Sequence, residues 1–387
     1  MKRTLSFNST AIAVILVIAL FCVGFTSAAV TVKQKVGEKE YKFQLYGFSQ
    51  LQMHGGDGQS SEGGLFFKAQ RIRLGTKYFH GGWFAKLFLD FNQSWTKNDA
   101  GLPKAIKDAF VGYKFSNAAF IRMGMIKVPH GMGFTIPGWN LDNIERNALD
   151  KGLVLERDFG VMLSGRFIGS DPSKTKKMPN GTEMGHEKVG YGFGYDIGFF
   201  NPAGRSKAVV WDKSQLGDAL AYAMRVHFDQ GKPLHIELSW AKSQDAGGMA
   251  YPGYKSEDYS SIDIGVHSMI LDDTLDLKLE YISGSNIKGI DGWDQNCLTA
   301  TVGYMFTPQL EGVVKYYMAS ADRGSTSTDR DNIYLGLNFF ISPLKLARRT
   351  LQGHRIQINY ILGDDNSWVG LGGYKDNGWI MQWQYKF

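Results

Sequence analysis

The chain has 387 residues, including 47 glycines and 10 prolines, and 13% of its residues are aromatic. Its formal net charge is +6 at pH 7, and 43% of its residues are hydrophobic. This composition excludes a disordered chain, because disordered chains contain few aromatic residues. It also argues against a helical bundle, because each glycine in a helix costs about 1 kcal/mol relative to alanine.

Residues 1–29 have the pattern of a secretory signal peptide. Lys2 and Arg3 form a basic start, an apolar run follows at 11–25, and small residues at 27–29 offer a cleavage site. The run is too short to span a membrane as a helix. We therefore expect 1–29 to be removed and 30–387 to form one exported domain. Cys297 is the only cysteine in that domain, so we predict no disulfide, no cysteine-based metal or haem site, and no cofactor.

The exported part consists of short segments in which apolar and polar residues alternate. In the last segment, Trp379 and Trp383 fall on one face and Gln382 on the other. Such a period of two predicts β-strands with two different faces. We predict sixteen strands, near residues 41–54, 65–80, 83–93, 106–116, 119–128, 159–168, 189–200, 220–229, 234–242, 260–270, 275–284, 295–306, 310–320, 331–341, 349–362 and 379–387.

The connections between these segments alternate between short turns, such as Gly81-Gly82, and long loops. A long polar insertion at 169–188 does not fit this alternation. Short turns at one end and long loops at the other are typical of an up-and-down barrel in the outer membrane. A bilayer requires a closed sheet, because every open edge would leave backbone groups unpaired in hydrocarbon. The predicted fold class is therefore all-β, a transmembrane up-and-down antiparallel β-barrel of about sixteen strands.

A soluble β-sandwich or propeller is the alternative fold. It is disfavoured because aromatic residues fall near the predicted strand ends, as they do in the interfacial girdles of membrane barrels. These residues are Tyr78, Trp83, Phe115, Trp240, Trp379 and Phe387. No repeat of fixed length supports a propeller.

Three sequence features together resemble a known family. They are the terminal Phe387, the pair of segments 107–115 (KDAFVGYKF) and 121–131 (IRMGMIKVPHG), and 143–146 (NIER) in the loop that follows. This order is similar to the phosphate-selective porins O and P of Gram-negative bacteria. The resemblance implies a trimeric sixteen-stranded porin in outer-membrane lipid, with its third loop folded into the pore and basic residues guiding anions.

Alternation assigns the charged side chains to the inner face, because an arginine or lysine facing lipid at mid-depth costs about 2–4 kcal/mol. The resemblance supports a basic lining only for Arg71 and Arg73, and the other positions rest on alternation. The predicted pore-lining, anion-binding residues are Arg71, Arg73, Lys77, Lys86, Lys114, Arg122, Arg166, Arg225, Lys315 and Arg355. Acidic residues share this face, so for most positions the charges could equally serve only to keep a pore wet.

A two-residue turn at Gly81-Gly82 would place Arg73 opposite Asp90 and Lys77 opposite Lys86. We expect an ion pair at the first position and a like-charge pair at the second. Arg71 would remain a free guanidinium in mid-strand, suited to bind phosphate or carboxylate through its planar fork.

The loop 129–158 is the predicted constriction. Pro129 ends the preceding strand, and the glycines that follow permit an inward fold. Its functional residues are expected to be Glu145, Arg146 and Arg157, although the first two could instead anchor the loop to the wall. The loop contains more acidic than basic residues, which argues for a general anion preference rather than strict phosphate selectivity.

Other functions are less well supported. His227 and His235 would face each other if a turn centred on Gly231, but no third metal ligand is evident. His267 and Ser268 point to opposite faces and cannot form a catalytic pair, so we predict no enzyme. Basic residues are spread along the strands, which argues against nucleic-acid binding. The sequence thus favours a porin for small anionic solutes. A barrel that houses a partner, such as an electron-transfer protein, is the alternative.

Overall fold

The computed structural model describes residues 30–36, 39–56, 65–93, 104–146, 152–168, 191–202, 219–231, 233–244, 255, 257–324, 326–341, 354–364 and 374–386. The predicted signal peptide at 1–29, the insertion at 169–188 and the terminal Phe387 lie outside these residues.

The described residues contain seventeen β-strands and very little helix. The strands are β1 (Val30–Val36), β2 (Lys39–Gly55), β3 (Phe66–His80), β4 (Trp83–Asp90), β5 (Ile106–Lys114), β6 (Phe120–Lys127), β7 (Arg157–Ile168), β8 (Tyr191–Phe200), β9 (Ala221–Gln230), β10 (His235–Ser243), β11 (Tyr259–Ile270), β12 (Leu275–Ser285), β13 (Trp293–Thr307), β14 (Leu310–Arg323), β15 (Thr326–Phe340), β16 (His354–Leu362) and β17 (Gly378–Lys386). The helices are α1 (Met132–Thr135) and a 3₁₀ turn at Ile287–Gly289.

No helix in these ranges is long and apolar enough to cross a membrane.

Sixteen of the strands form a closed antiparallel barrel. Each strand from β2 to β16 pairs with the next strand along the chain, and β17 pairs back with β2. The predicted fold class is therefore confirmed. Closure satisfies the ladder hydrogen bonds of every strand, which is what a β-structure in hydrocarbon requires.

The seventeenth strand, β1, was not predicted from the sequence. It pairs with the first half of β2, from Val30 opposite Leu45 to Val36 opposite Lys39. The C-terminal strand β17 pairs with the second half of β2, as far as Lys386 opposite Phe48. Strand β3 pairs with the other edge of β2. Strand β1 therefore pairs with the part of the first edge that β17 does not reach, where backbone N–H and C=O groups would otherwise be unpaired.

Strand β15 shows the two faces of the barrel. Leu335 and Leu337 are 44% and 51% exposed on the outer face, whereas Asn332 and Asn338 are buried on the inner face. The outer face of the barrel is thus apolar and the inner face polar, the reverse of a soluble β-sandwich. This is the arrangement of a barrel surrounded by lipid.

The interior of the barrel is partly filled by the loop between β6 and β7. Ile144, Leu153 and Val154 of this loop are at most 1% exposed and belong to one apolar cluster with residues of the wall. On the wall, this cluster includes the small side chains of Ala223 and Ala241. Small inward residues leave the space that the loop occupies.

The outward orientation of Leu335 can be tested by Leu335→Arg. We expect a loss of about 2–4 kcal/mol in the free energy of unfolding, because the guanidinium would face hydrocarbon near mid-depth. The measurement is urea unfolding in liposomes, followed by tryptophan fluorescence. Leu335→Ala is the control, since it keeps the outer face apolar. Equal destabilisation by the two variants would contradict a lipid-facing position.

Candidate functional site

Basic side chains dominate a cavity between the loop 129–158 and strands β3 to β6. The cavity has a volume of about 330 Å³. Its basic residues are Arg71, Arg73, Lys86, Lys107, Arg122, Lys127, Arg146 and Arg157, and its acidic residues are Asp90, Asp108 and Glu156. Eight bases against three acids leave a formal charge of +5. A positive charge enclosed by low-dielectric walls attracts anions.

Several of these bases are neutralised by the acids beside them. The predicted pair of Arg73 with Asp90 is present, with 2.8 Å between Nε and Oδ2. Asp108 accepts from both Lys86, at 2.9 Å, and Arg157, at 3.0 Å. These ion pairs fix the side chains in place and reduce the field that each base contributes.

The predicted like-charge pair is also present, with Lys77 opposite Lys86. The contact with Asp108 explains how Lys86 is tolerated there. Lys77 lies toward β2 instead, and its Nζ is 4.7 Å from the centre of the Tyr46 ring. The two ammonium groups therefore have different partners, and only Lys86 reaches the cavity.

Arg71 lies beside the loop with no carboxylate within 4.0 Å among the residues that the structure describes. Its Nη1 donates to Gln50 Oε1 at 2.6 Å, and Gln50 Nε2 donates to the carbonyl of Gly138 at 2.9 Å. A Cβ on Gly138 would lie 3.2 Å from Arg71 Nε, so the loop backbone passes directly over the guanidinium. A neutral amide holds this arginine without cancelling its charge.

Two basic residues of the cavity, Lys107 and Lys127, were missed by the sequence analysis. The register between β4 and β5 shifts there, since Phe88 pairs with Asp108 but Leu89 pairs with Ile106. Lys107 is the extra residue of this β-bulge, and strict alternation across a strand does not allow for an extra residue. Two adjacent charged residues in a membrane strand are the signal that could have revealed the bulge, because alternation would put one of them in lipid.

Lys127 is the last residue of β6, at the start of the loop. Its Nζ donates to the carbonyl of Thr135 at 3.0 Å and lies 4.6 Å from the centre of the Phe134 ring. With Arg122 inward, alternation along the predicted strand 119–128 puts Lys127 on the outer face. At the end of the strand its side chain instead bends toward the loop and lines the cavity.

Three predicted bases converge on a single carboxylate. Asp196 on β8 accepts from Arg166 at 2.7 Å, from Arg225 at 2.7 Å and from Arg122 at 3.5 Å. Ser164 Oγ also donates to it, at 2.6 Å. All four partners are at most 6% exposed. Arg225 also lies 3.5 Å from Glu237 on β10, so three guanidinium groups share two carboxylates in this part of the wall.

The remaining predicted bases lie elsewhere on the inner face. Lys315 Nζ donates to the carbonyl of Glu145 at 3.4 Å, and Arg355 Nη2 donates to the carbonyl of Trp139 at 3.2 Å. Lys114, on β5, is half-buried and does not line the cavity. That the ten predicted bases line a conducting pore stays a prediction.

The loop is attached to the wall across the ring from the cavity. Three consecutive backbone N–H groups at the start of α1 donate to inward side chains there. They join Gly131 to Ser239 Oγ at 3.1 Å, Met132 to Asp263 Oδ1 at 3.1 Å, and Gly133 to Glu280 Oε1 at 2.7 Å. The first N–H groups of a helix have no partner within the helix, so these wall oxygens satisfy them.

Glu145 has contacts outside the loop, as an anchor would, whereas Arg146 donates hydrogen bonds within the loop. Glu145 accepts a hydrogen bond from the hydroxyl of Tyr374, and its carboxylate lies 3.6 Å from Lys68 Nζ. Burial, together with the charge of Glu145, raises the pKa of Tyr374, so the phenol keeps the proton that it donates. Arg146 donates to the carbonyls of Gly133 and Ile136 within the loop and also lines the cavity.

The predicted register of β9 and β10 is wrong by two residues. His235 lies opposite Asp229, and Glu237 lies opposite His227, so the two histidines are not direct partners. Arg225 is correspondingly opposite Ser239, although its Nη1 still lies 3.5 Å from Glu237 Oε2. The prediction assumed a turn centred on Gly231. In the structure β9 ends at Gln230 and β10 begins only at His235, after Pro233 and Leu234, so the turn is longer.

His267 and Ser268 have different partners on the two faces of β11. His267 Nε2 is 2.6 Å from Asp276 Oδ1 on the inner face. Ser268 Oγ donates to the carbonyl of Pro233 at 2.6 Å. The two residues therefore do not contact each other as a nucleophile and its base would.

Solved structures with the same fold are outer-membrane proteins. A loop-deletion mutant of OmpT from Vibrio cholerae superposes with a TM-score of 0.59 at 13% identity, over 90% of this chain and 99% of that one. OmpF from Salmonella typhi, in complex with daunomycin, has a TM-score of 0.59 at 12% identity, over 89% and 98% of the two chains. An anion-selective porin from Comamonas acidovorans has a TM-score of 0.58 at 14% identity, over 90% and 100%.

At these identities the likeness establishes the barrel fold. No protein-family description matches the chain. No curated protein matches it in sequence either.

The role of Asp196 as a common partner can be tested by Asp196→Asn. We expect a loss of about 3–5 kcal/mol in the free energy of unfolding, because buried guanidinium groups would lose their counter-ion. Urea unfolding in liposomes measures it. The matched control is Asp322→Asn, at an exposed position of β14, which should change stability by less than about 0.5 kcal/mol. A small effect at Asp196 would mean that the arginines are stabilised by water.

Proposed function

We propose that this chain is a porin of the Gram-negative outer membrane, exported through the signal peptide at 1–29. Its water-filled channel lets small solutes diffuse, with a mild preference for anions. The observation that carries the proposal is the cavity beside the loop 129–158, where eight bases meet three acids.

The preference for anions comes mainly from the bases that no acid neutralises. Arg73, Lys86 and Arg157 form ion pairs, so they contribute little net field. Arg71 and Lys107 have no carboxylate within 4.0 Å among the described residues, and both line the cavity. Their charges lower the free energy of an anion and raise that of a cation in the same space.

The loop sets the aperture in this proposal. Its residues 130–146 contact the inner face of the barrel at Ser239, Asp263 and Glu280. A partner protein threaded through the barrel would have to displace this segment and its buried apolar contacts. This argues against the alternative of a barrel that houses an electron-transfer protein.

The comparisons support the general role. A neighbour with the same fold is described as an anion-selective porin, and another, OmpT of Vibrio cholerae, is described in a trimer form. By analogy we infer a homotrimer embedded in outer-membrane lipid. We further infer, from the sequence resemblance to the phosphate-selective porins O and P, that phosphate is among the anions carried.

The test is the reversal potential of single channels across a salt gradient, with Arg71→Ala as the variant. The wild-type channel should prefer anions, and the variant should lose preference by roughly twofold or more, because a charge without a carboxylate partner is removed from the cavity beside the loop. The matched control is Lys242→Ala, which removes a lysine from the outward face of β10.

Three outcomes of this recording would count against the proposal. Cation preference in the wild-type channel contradicts the anion claim. Unchanged selectivity in Arg71→Ala removes that residue from the site. Absence of conductance from the purified protein alone would favour the housing alternative.

Lys107→Ala distinguishes the structure from simple alternation. Because Lys107 sits in a bulge and lines the cavity, its loss should shift selectivity toward cations in the same direction as Arg71→Ala. An outward-facing Lys107 would leave selectivity unchanged. Blocking of the chloride current by added phosphate, measured in the same recordings, separates phosphate binding from a general anion preference.

A further inference from the structure

Two histidines and an aspartate meet on the inner face where β9 ends and β10 begins. His227 and Asp229 are two residues apart on β9 and therefore share a face, and His235 lies directly opposite Asp229 on β10. All three are at most 8% exposed. A short turn joins the two strands here, which is the periplasmic end in barrels of this type.

The aspartate lies between the two imidazole rings. His227 Nδ1 is 2.9 Å from Asp229 Oδ2, and His235 Nδ1 is 2.7 Å from Asp229 Oδ1. One donor atom from each of the three residues lies within 4.8 Å of those of the other two. None of these residues lines the basic cavity, so the cluster is independent of the proposed anion path.

Both ring nitrogens of His235 face carboxylate oxygens, which is more than the single N–H of a neutral imidazole can satisfy. Its Nδ1 faces Asp229, and its Nε2 is 3.0 Å from Glu237 Oε2. A neutral imidazole has one N–H, so only one of these contacts can be a hydrogen bond. The other places a lone pair against a carboxylate, unless a second proton or a metal ion lies between them.

We propose that His227, Asp229 and His235 form a binding site for a divalent transition-metal ion. The ion would take the Nδ1 atoms of both histidines and an oxygen of Asp229, in place of the protons that those contacts otherwise need. Two imidazoles and one carboxylate suit Zn²⁺, Ni²⁺ or Cu²⁺. Ca²⁺ and Mg²⁺ prefer oxygen ligands and are not expected to compete.

The surroundings of the cluster fit this assignment. Donor atoms bound to zinc in a tetrahedral site are about 3.3 Å apart, and the donor atoms of the three residues all lie within 4.8 Å of one another. Glu237 would accept from Nε2 of His235 and so hold its ring with Nδ1 toward the ion. A carboxylate in this outer position is the usual support of a metal-bound histidine.

Metal binding would join β9 to β10 at the end of the barrel. A ligand that binds only the folded state also stabilises it. The cluster would therefore act as a metal-dependent brace of the barrel wall.

The experiment uses the untagged chain, refolded in detergent, stripped with EDTA and titrated with ZnCl₂ against a chromophoric chelator. We expect one Zn²⁺ per chain. Asp229→Asn should weaken binding by roughly tenfold or more, and Glu237→Gln by about 10- to 100-fold. The control is His54→Gln, a buried inward histidine on β2 that bonds to Gln52, away from β9 and β10, and it should bind like the wild type.

Circular dichroism and heat-modifiable migration show whether each variant is folded. Cu²⁺ electron paramagnetic resonance gives a readout that does not depend on affinity: two coordinating nitrogens are expected in the wild type and one in His227→Gln. Absence of stoichiometric Zn²⁺ in the wild type, or binding that survives Asp229→Asn unchanged, would overturn the proposal. Loss of binding in His54→Gln to the same extent as in Asp229→Asn would overturn it as well.

Discussion

Hydrogen bonding of the backbone within the sheet is the constraint on which the rest of this structure depends. A β-strand in hydrocarbon has no water to satisfy its N–H and C=O groups, so every edge must be paired. The ring from β2 to β17 closes for that reason, and β1 pairs with the part of β2 that β17 does not reach. Closure then dictates the side chains, with apolar residues outside and charged residues inside.

A ring of sixteen strands is too wide for its own wall side chains to fill. Here the loop between β6 and β7 occupies part of the space, and it meets different side chains on two sides of the interior. Toward β10, β11 and β12, backbone N–H groups of the loop bond to Ser239, Asp263 and Glu280. Toward β3 to β6, the loop leaves a cavity with a formal excess of positive charge.

The inner face uses its charges for two different purposes. Asp108 and Asp196 each form ion pairs with more than one base, and these pairs hold the long basic side chains against the wall. Arg71 is held instead by the neutral amide of Gln50. A residue positioned by a neutral group keeps its charge available to a passing ion. Counting bases and acids therefore says less about selectivity than knowing which base has which partner.

The sequence alone determined the features that follow from the alternation of apolar and polar residues along each strand. Alternation predicted the strands, the lipid-facing and inner faces, and the pairs Arg73–Asp90 and Lys77–Lys86, because a two-residue turn at Gly81-Gly82 leaves only one register. The tertiary structure decided everything that depends on irregularity or distance. A bulge brought Lys107 to the inner face, and a longer turn placed Asp229 opposite His235.

The convergence of Arg122, Arg166 and Arg225 on Asp196 likewise joins four strands. The physical reason is that alternation is a local property of each strand. Register across a longer turn depends on the conformation of that turn, and contacts among side chains of several strands depend on how all of those strands are paired.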